Sequence, residues 1–228
     1  MVVFPQISIP KRVLVTGANG FVGSALCDEL NRRKYIVRGA VRNSRSLPEN
    51  IEPVVNHAID AETRWGNAFD CVDVVIHLAA RVHVMHESAS NPLDEFRKIN
   101  VAGTEHLARA AAARGVKRFV YVSSVKVNGE STRRDEMFVE SDKVCPQDPY
   151  GISKWEAEQV LHRIAKETGM EVVIVRPPLV YGPKVKGNFA QMLKVVRKGM
   201  PLPLAAVDNL RSLCLLYTSD AADERSSV

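Results

Sequence analysis

The stretch RVLVTGANGFVG, residues 12–23, decides how this sequence folds. A short apolar and β-branched run ends directly in a glycine-rich turn, and helical periodicity follows from residue 24 onward. The turn carries three glycines, Gly17, Gly20 and Gly23. Glycines there permit a tight turn and close approach of a ligand to the backbone, and the start of the helix offers free N–H groups to a pyrophosphate. A strand, this turn and a helix in that order predict a dinucleotide site.

Further apolar runs along the chain predict strands at residues 35–41, 72–80, 118–124 and 171–177. Helical patterns separate them, the longest at 92–114 and 151–168. This alternation predicts an α/β Rossmann fold, a doubly wound parallel sheet with helices on both faces. Ligands of such sheets bind at the carboxyl ends of the strands, where this sequence has TGANG, HLAA, VSS and RPPLVYGP.

Composition narrows the class of protein. The chain has 228 residues, 46% hydrophobic and 25% charged, which suits one large domain or one domain with part of another. The net charge of +5 is spread without a block of like charge, so nucleic-acid binding is not indicated. No apolar run is long enough to span a membrane. The four cysteines are scattered and form no Cys-x-x-Cys pair, so we expect a reducing, cytoplasmic environment.

The segment DPYGISKWEAEQV, residues 148–160, places Tyr150 and Lys154 one helical turn apart on one face. One interpretation is an aromatic stem over apolar surface with a lysine extending beside it. The other is a phenol whose proton is made labile by a neighbouring ammonium group. A metal site is not predicted, because His83, His86 and Glu87 lack a further ligand at a recognisable spacing.

Six motifs in order (TGANGFVG, HLAA, NVAGT, YVSS, YGISK and RPPLVYGP) resemble the extended short-chain dehydrogenase/reductases that act on nucleotide sugars. The resemblance runs from about Lys11 to Leu213. Within this group the chain is most similar to members of the NAD-dependent epimerase/dehydratase family that serve bacterial surface-polysaccharide synthesis, the UDP-glucose 4-epimerase-like enzymes and the UDP-4-keto-sugar reductases. The resemblance implies an NAD(P) cofactor and a nucleotide-sugar substrate.

The resemblance also implies roles for single residues. Tyr150 would be the acid/base that moves the O4 proton of the sugar while hydride passes between sugar C4 and the nicotinamide. Lys154 would hydrogen-bond the nicotinamide ribose and lower the pKa of Tyr150, and Ser124 would bind and orient the same sugar oxygen. Further cofactor contacts are implied at Gly17, Asn19, Gly20, Phe21, Val22, Gly23, Asp60, Leu78, Ala79, Ala80, Asn100 and Pro177. Asn188 would contact the substrate diphosphate, cap a helix, or do both, and Asn100 could instead be an ordinary polar residue inside a helix.

The chain departs from the family at two positions after Ser124. Sugar dehydratases carry Asp-Glu there, whereas this chain has Val125 and Lys126. Neither side chain can perform the acid and base steps of dehydration, and decarboxylases of the family rely on glutamate at the Lys126 position, so oxidation and reduction at C4 remain. Asn128 stands where the family usually has tyrosine, which could reshape the substrate pocket.

The cofactor preference is predicted from the segment after the second strand. NAD enzymes usually place an acidic residue there to bind the ribose 2′-OH. Residues 35–48 contain no acid but hold Arg38, Arg42 and Arg45, and arginine pairs well with a 2′-phosphate. This pattern favours NADP over NAD, with a solvated basic turn as the alternative.

Domain boundaries are predicted at 1–182 for the dinucleotide-binding domain and 183–213 for the start of a truncated substrate-binding lobe. The segment CLLYTSDAADE, residues 214–224, resembles one translated reading frame of a transposon-based sequencing adapter, so we expect residues 214–228 to be a non-native tail. Helical stretches 92–114 and 151–168 carry apolar residues beyond one stripe, which predicts a homodimer of the completed protein unless the missing lobe covers this surface. A second class of function is a catalytically silent dinucleotide-binding sensor.

Overall fold

The computed structural model describes residues 12–56, 58–82, 91–133, 136–183, 185, 187–199 and 210–216, with backbone only for 45, 187 and 188. Six parallel strands form one sheet in the order β3-β2-β1-β4-β5-β6. The strands are β1 Arg12–Thr16, β2 Ile36–Val41, β3 Glu52–Val55, β4 Val74–His77, β5 Arg118–Val122 and β6 Glu171–Val175. The order reverses direction between β1 and β4, which opens a crevice at their carboxyl ends.

The helices are α1 Phe21–Arg32, α2 Pro92–Arg97, α3 Thr104–Ala113, α4 Pro149–Thr168 and α5 Gly187–Arg197. The helix predicted over 92–114 is therefore present, but a π-helical turn, Lys98–Gly103, separates α2 from α3. Helix α4 begins where Asp148 Oδ1 accepts a hydrogen bond from Gly151 N at 2.6 Å, and it ends at Gly169 with φ 75°. An aspartate cap, a proline in the first turn and a left-handed glycine are the residues that favour these helix ends.

Alternate residues of β1 build a separate core on each face of the sheet. Val13 and Val15 belong to the core that includes Cys27 of α1, whereas Leu14 belongs to the core that includes Leu107 of α3 and Leu161 of α4. Helices therefore cover both faces, and the predicted doubly wound fold is confirmed.

The predicted strands extend too far at their carboxyl ends. β4 ends at His77 rather than at residue 80, β5 ends at Val122 rather than at 124, and β6 ends at Val175 rather than at 177. The reason is that the next residues leave the ladder to build the site. Leu78 N and Ala79 N, for example, each donate to Thr16 Oγ1 at 3.2 Å.

A second, two-stranded sheet follows the main one. β7, Leu179–Tyr181, pairs in parallel with β8, Leu213–Leu215. Strand β8 includes Cys214 and Leu215 of the predicted tail, and residues 217–228 lie outside the described residues. The proposed domain division stays a prediction. Among the described helices, none combines the length and apolarity needed to cross a bilayer.

Candidate active site

The glycine-rich turn is a cradle made of backbone. Gly17 has φ +67°, and a Cβ there would lie 3.0 Å from Ala79 N. A Cβ on Gly23 would lie 2.1 Å from Gly17 O, so α1 can only pack this closely on the turn without a side chain. Gly20 N donates to Gly17 O at 2.8 Å and closes the turn. The first turn of α1 carries no acidic residue and Gly20 provides no side-chain cap, so its N–H groups suit a pyrophosphate.

The other residues predicted around the cradle lie along its rim. Asn19 is exposed and donates from Nδ2 to Ser46 Oγ at 3.0 Å, which links the turn to the segment after β2. Phe21 and Val22 are half-buried in the first turn of α1. Together with the glycines, these residues fit the dinucleotide that the fold implies.

A buried network that the sequence analysis did not predict joins the ends of β1 and β4. Thr16 Oγ1 and His77 Nδ1 are 2.6 Å apart, and His77 Nε2 lies 3.0 Å from Thr104 Oγ1. Burial, followed by the charge of Lys154, lowers the pKa of His77 to about 3, so the ring is neutral at neutral pH. The network holds Leu78 and Ala79 against the cradle, and the half-buried Ala80 follows them in the chain. Its only sequence signal was a threonine and a histidine at the ends of adjacent strands.

Asn100 is buried and links two parts of the site. Its Oδ1 accepts from Arg81 N at 2.8 Å, and its Nδ2 donates to Arg81 O at 3.0 Å and to Ser153 Oγ at 2.9 Å. Ser153 Oγ in turn donates to Tyr150 O at 2.8 Å. The π-helical turn thus carries a residue that ties the segment after β4 to the first turn of α4. The predicted contact of Asn100 with the cofactor stays a prediction.

Ser124 and Tyr150 meet at the carboxyl end of β5. The Ser124 side chain is close enough to the phenol to lower its pKa, and the half-buried Tyr150 ring packs edge-on against Phe96 at 6.2 Å between centroids. The pKa of Tyr150 is raised above 10.0, because burial and the Asp148 carboxylate outweigh the Ser124 hydrogen bond and the Lys126 charge. The expectation that Tyr150 has a lowered pKa is therefore wrong for the protein without cofactor.

Lys154 does not lower the pKa of Tyr150, because its ammonium group is directed at the end of β5 instead. The side chain is 2% exposed, its Nζ donates to Val122 O at 2.7 Å, and Nζ lies 4.1 Å from the centroid of the Tyr121 ring. Burial lowers the pKa of Lys154 to about 7, although the Glu158 carboxylate raises it. The cation that lowers the pKa of Tyr150 is Lys126.

A buried ion pair lies one turn further along α4. Glu158 is fully buried, and Arg176 donates to its two carboxylate oxygens, from Nε at 3.0 Å and from Nη2 at 2.6 Å. Ser123 Oγ donates to the same carboxylate. Arg176 Nη1 also donates to Asn128 Oδ1 at 3.2 Å. Asn128 is thus a buried hydrogen-bond partner of Arg176, at a position where the family usually has tyrosine.

The remaining predicted residues are more dispersed. Pro177 O accepts from Val125 N at 3.1 Å, which fixes the segment after Ser124. Asp60 Oδ1 accepts from Glu62 N in a local turn. Arg42 is exposed just after β2, whereas Arg38 is buried, donates to Asn67 O and Ala68 O, and has a structural role.

Two predictions concern side chains or residues that the structure does not describe. The side chain of Asn188 is not described, and His83, His86 and Glu87 lie outside the described residues. Among the residues that are described, no group of three or more His, Cys, Asp or Glu side chains could hold a metal ion.

The parallel sheet, the glycine cradle, and the serine beside a Tyr-x-x-x-Lys pair define an extended short-chain dehydrogenase/reductase. The chain belongs to the NAD dependent epimerase/dehydratase family, whose profile matches residues 13–223. The resemblance drawn from the six motifs is confirmed.

Two curated relatives and one solved structure show what the chain is similar to. It is 45% identical over 207 residues to a UDP-glucose 4-epimerase of Vibrio cholerae, covering 90% of this chain and 63% of that protein. It is 34% identical over 214 residues to dTDP-D-glucose 4,6-dehydratase of Mus musculus, covering 85% and 59%. The chain therefore spans less than two thirds of these relatives. UDP-glucuronic acid 4-epimerase from Bacillus cereus, in complex with UDP-glucuronic acid and NAD, superposes with a TM-score of 0.75 at 25% identity, covering 90% of this chain and 69% of that one.

Proposed function

We propose that this chain provides the cofactor-binding and catalytic part of an NAD(P)-dependent enzyme acting at C4 of a UDP-sugar, as a 4-epimerase or as a 4-keto reductase. The observation that supports it is that Ser124 lies close enough to the Tyr150 phenol to lower its pKa, at the same carboxyl edge of the sheet as the glycine cradle. The 45% identity to a UDP-glucose 4-epimerase favours the epimerase. Surface-polysaccharide synthesis and a cytoplasmic location are part of the same proposal.

In this mechanism the nicotinamide, when bound, supplies the hydride acceptor and donor. Tyr150 takes the proton from the sugar O4 as the C4–H bond breaks, and it returns a proton to O4 when the ketone is reduced. Ser124 hydrogen-bonds the reacting oxygen and holds it beside the phenol. Because the pKa of Tyr150 is raised in the protein alone, the phenol is protonated at neutral pH, and the positive charge of a bound oxidised nicotinamide would lower that pKa.

Dehydration is disfavoured, although one relative is a dehydratase. The reaction needs an acid and a base beside Ser124, and this chain offers Val125 and Lys126. Lys126 Nζ is paired with Asp148 and Glu130. The pKa of Lys126 is raised, because burial, which lowers it, is outweighed by these two hydrogen bonds. An ammonium group held in this way cannot act as a base.

Replacing Tyr150 with phenylalanine tests the proposal in the complete enzyme. Tyr150→Phe is expected to bind cofactor with unchanged affinity and to lose about 10²–10⁴-fold in kcat, which is the usual contribution of a general acid/base. Tyr35→Phe, remote from the site, is the matched control. Turnover that survives Tyr150→Phe would exclude the proposed role. A non-catalytic sensor, the alternative function, would bind NAD(P) and convert no UDP-sugar in either form.

The preference for NADP over NAD remains a proposal that rests on Arg42, since Arg38 is engaged elsewhere. Arg42→Ala should weaken NADP(H) binding much more than NAD(H) binding, whereas Lys117→Ala, an exposed lysine at the amino end of β5, should affect neither. Equal weakening of both cofactors would argue against a 2′-phosphate contact. Mass spectrometry of the purified protein adds a second criterion, because an epimerase regenerates its cofactor and can retain NAD, whereas a reductase must exchange it.

The proposed homodimer would associate through the outer faces of α3 and α4. Those faces carry the ion pairs Arg109–Glu105, Arg109–Glu167 and Arg163–Glu105 beside partly buried alanines. An interface built on them would be partly polar. Sedimentation showing only monomer at micromolar concentration and low salt would contradict the dimer.

A further inference from the structure

Two opposite charges are fixed beside Tyr150 by the backbone around them. Lys126 lies in the 3-10 turn Val125–Val127, and its backbone N donates to Ser124 Oγ at 3.2 Å. Its Nζ forms an ion pair with Asp148 and a second one with Glu130 at 3.0 Å. Asp148 uses its other oxygen to cap α4 through Gly151 N. Both charged groups are therefore held at the place where α4 begins.

Gly151 allows these two segments to approach each other. A Cβ at this position would lie 3.0 Å from Lys126 O and 3.2 Å from Asp148 Oδ1. The 3-10 turn thus packs directly on the first turn of α4, and the Lys126 side chain, 30% exposed, reaches Asp148 from the neighbouring element. The arrangement is part of the fold rather than a mobile surface contact.

The charged and titratable groups around Tyr150 come from four elements. Helix α4 and its cap provide Lys154 and Asp148, the 3-10 turn provides Lys126, β5 provides Tyr121, and the segment after β4 provides Arg81, which lies 5.6 Å from the centroid of the Phe96 ring. Lys154 is bonded to Val122 O, which leaves its charge directed at the strand. Asp148 and Lys126 act on Tyr150 in opposite directions.

We propose that Lys126 and Asp148 are positioning residues that control the ionisation of Tyr150 in opposite directions, with Lys126 favouring the phenolate and Asp148 the phenol. A lysine two residues after Ser124, where the dehydratases of the family carry glutamate, then has a function of its own. The effect on turnover rests on the proposed function, whereas the ionisation itself can be measured without substrate.

The test is a spectrophotometric titration of tyrosinate absorbance, with the Tyr150→Phe titration subtracted from each curve to isolate Tyr150. Lys126→Met should move the Tyr150 midpoint to higher pH and Asp148→Asn should move it to lower pH, each by about half a pH unit or more, as expected for one nearby charge that is partly screened. The double variant should return close to the wild-type midpoint. Glu130→Gln is the matched control, because Glu130 pairs with Lys126 but does not itself act on Tyr150, and it should shift the midpoint least.

Shifts of both single variants in the same direction, or no shift in either, would overturn the proposal. Lys126→Gln and Asp148→Ser also remove the two charges, and the serine keeps a capping oxygen, so this pair repeats the test where circular dichroism shows that the first pair has not folded. NMR of ring-labelled tyrosine supplies the midpoint where absorbance bands overlap. Opposite shifts in a protein without turnover would refute the proposed function alone, whereas turnover without shifts would refute only this inference.

Discussion

The glycine cradle and the cluster around α4 meet at one edge of the sheet but are built in different ways. The cradle consists of backbone from residues 17–23, and its contacts are close because side chains are absent. The cluster consists of buried side chains from distant positions, such as Ser123 with Glu158 and Asn100 with Ser153. Binding a dinucleotide needs a shape that a short segment can encode, whereas moving a proton needs charges that the fold must bury at a cost in stability.

The largest loss of stability is expected from breaking the buried ion pair between Arg176 and Glu158. Arg176→Ala would leave the fully buried Glu158 carboxylate without its guanidinium partner, and breaking a buried pair costs about 3–5 kcal/mol. Urea unfolding of the wild type and the variant measures the difference. Arg176→Met combined with Glu158→Gln should lose clearly less, since no unpaired charge remains. A loss below about 1 kcal/mol in the single variant would mean that the cluster tolerates an unpaired charge.

A substitution in the glycine cradle should act through steric overlap, and not through an unpaired charge. In Gly23→Ala the new Cβ would approach Gly17 O to 2.1 Å, so the turn and α1 must separate, at a cost of about 1–3 kcal/mol or more for such overpacking. We expect NADH binding to weaken at least about tenfold, as about 1.4 kcal/mol implies. Titration of NADH fluorescence measures it. Ser24→Ala, at the exposed neighbouring position, is the control and should bind normally.

A smaller, pH-dependent effect is expected at Lys154. Its pKa is about 7 in the folded protein against 10.5 ordinarily, so between these values the unfolded chain binds more protons and stability rises with pH. Below pH 7 both states are protonated and the full penalty applies. Lys154→Met should therefore stabilise the cofactor-free protein at pH 6, by up to about 1–4 kcal/mol, and the gain should shrink as pH rises towards 10. A difference from wild type that does not change with pH would contradict the buried-ammonium interpretation.

The smallest effect on stability should come from the surface ion pair between Arg97 and Glu156, whose geometry is similar to that of the buried pair. Arg97 contacts both carboxylate oxygens of Glu156, as Arg176 does with Glu158, but here the arginine is exposed and the glutamate is only half-buried. Exposed ion pairs contribute little, because solvent already satisfies both charges. Arg97→Ala should leave the midpoint of thermal unfolding within experimental error. A loss comparable to that of Arg176→Ala would show that burial is not what separates the two pairs.

The same contrast explains what the sequence could predict. The cradle was readable because its glycines are adjacent in the chain and their spacing has one physical meaning. Helical spacing correctly placed Tyr150 and Lys154 on one helix, but it could not show that the Lys154 side chain runs inward to Val122 O. Glu158 with Arg176, and Thr16 with His77, were missed because each pair forms only after distant elements pack. The role of Asn128 depended on Arg176 for the same reason.

The hydrogen bonds from Arg81 through Asn100 and Ser153 to Tyr150 have a consequence for internal motion. They couple the segment after β4 to the first turn of α4, so the two should fluctuate as one unit. The amide proton of Arg81, bonded to Asn100, can exchange with solvent deuterium only when this unit opens. Its exchange rate would therefore report how often the first turn of α4 detaches from the segment after β4, on a timescale of minutes to hours.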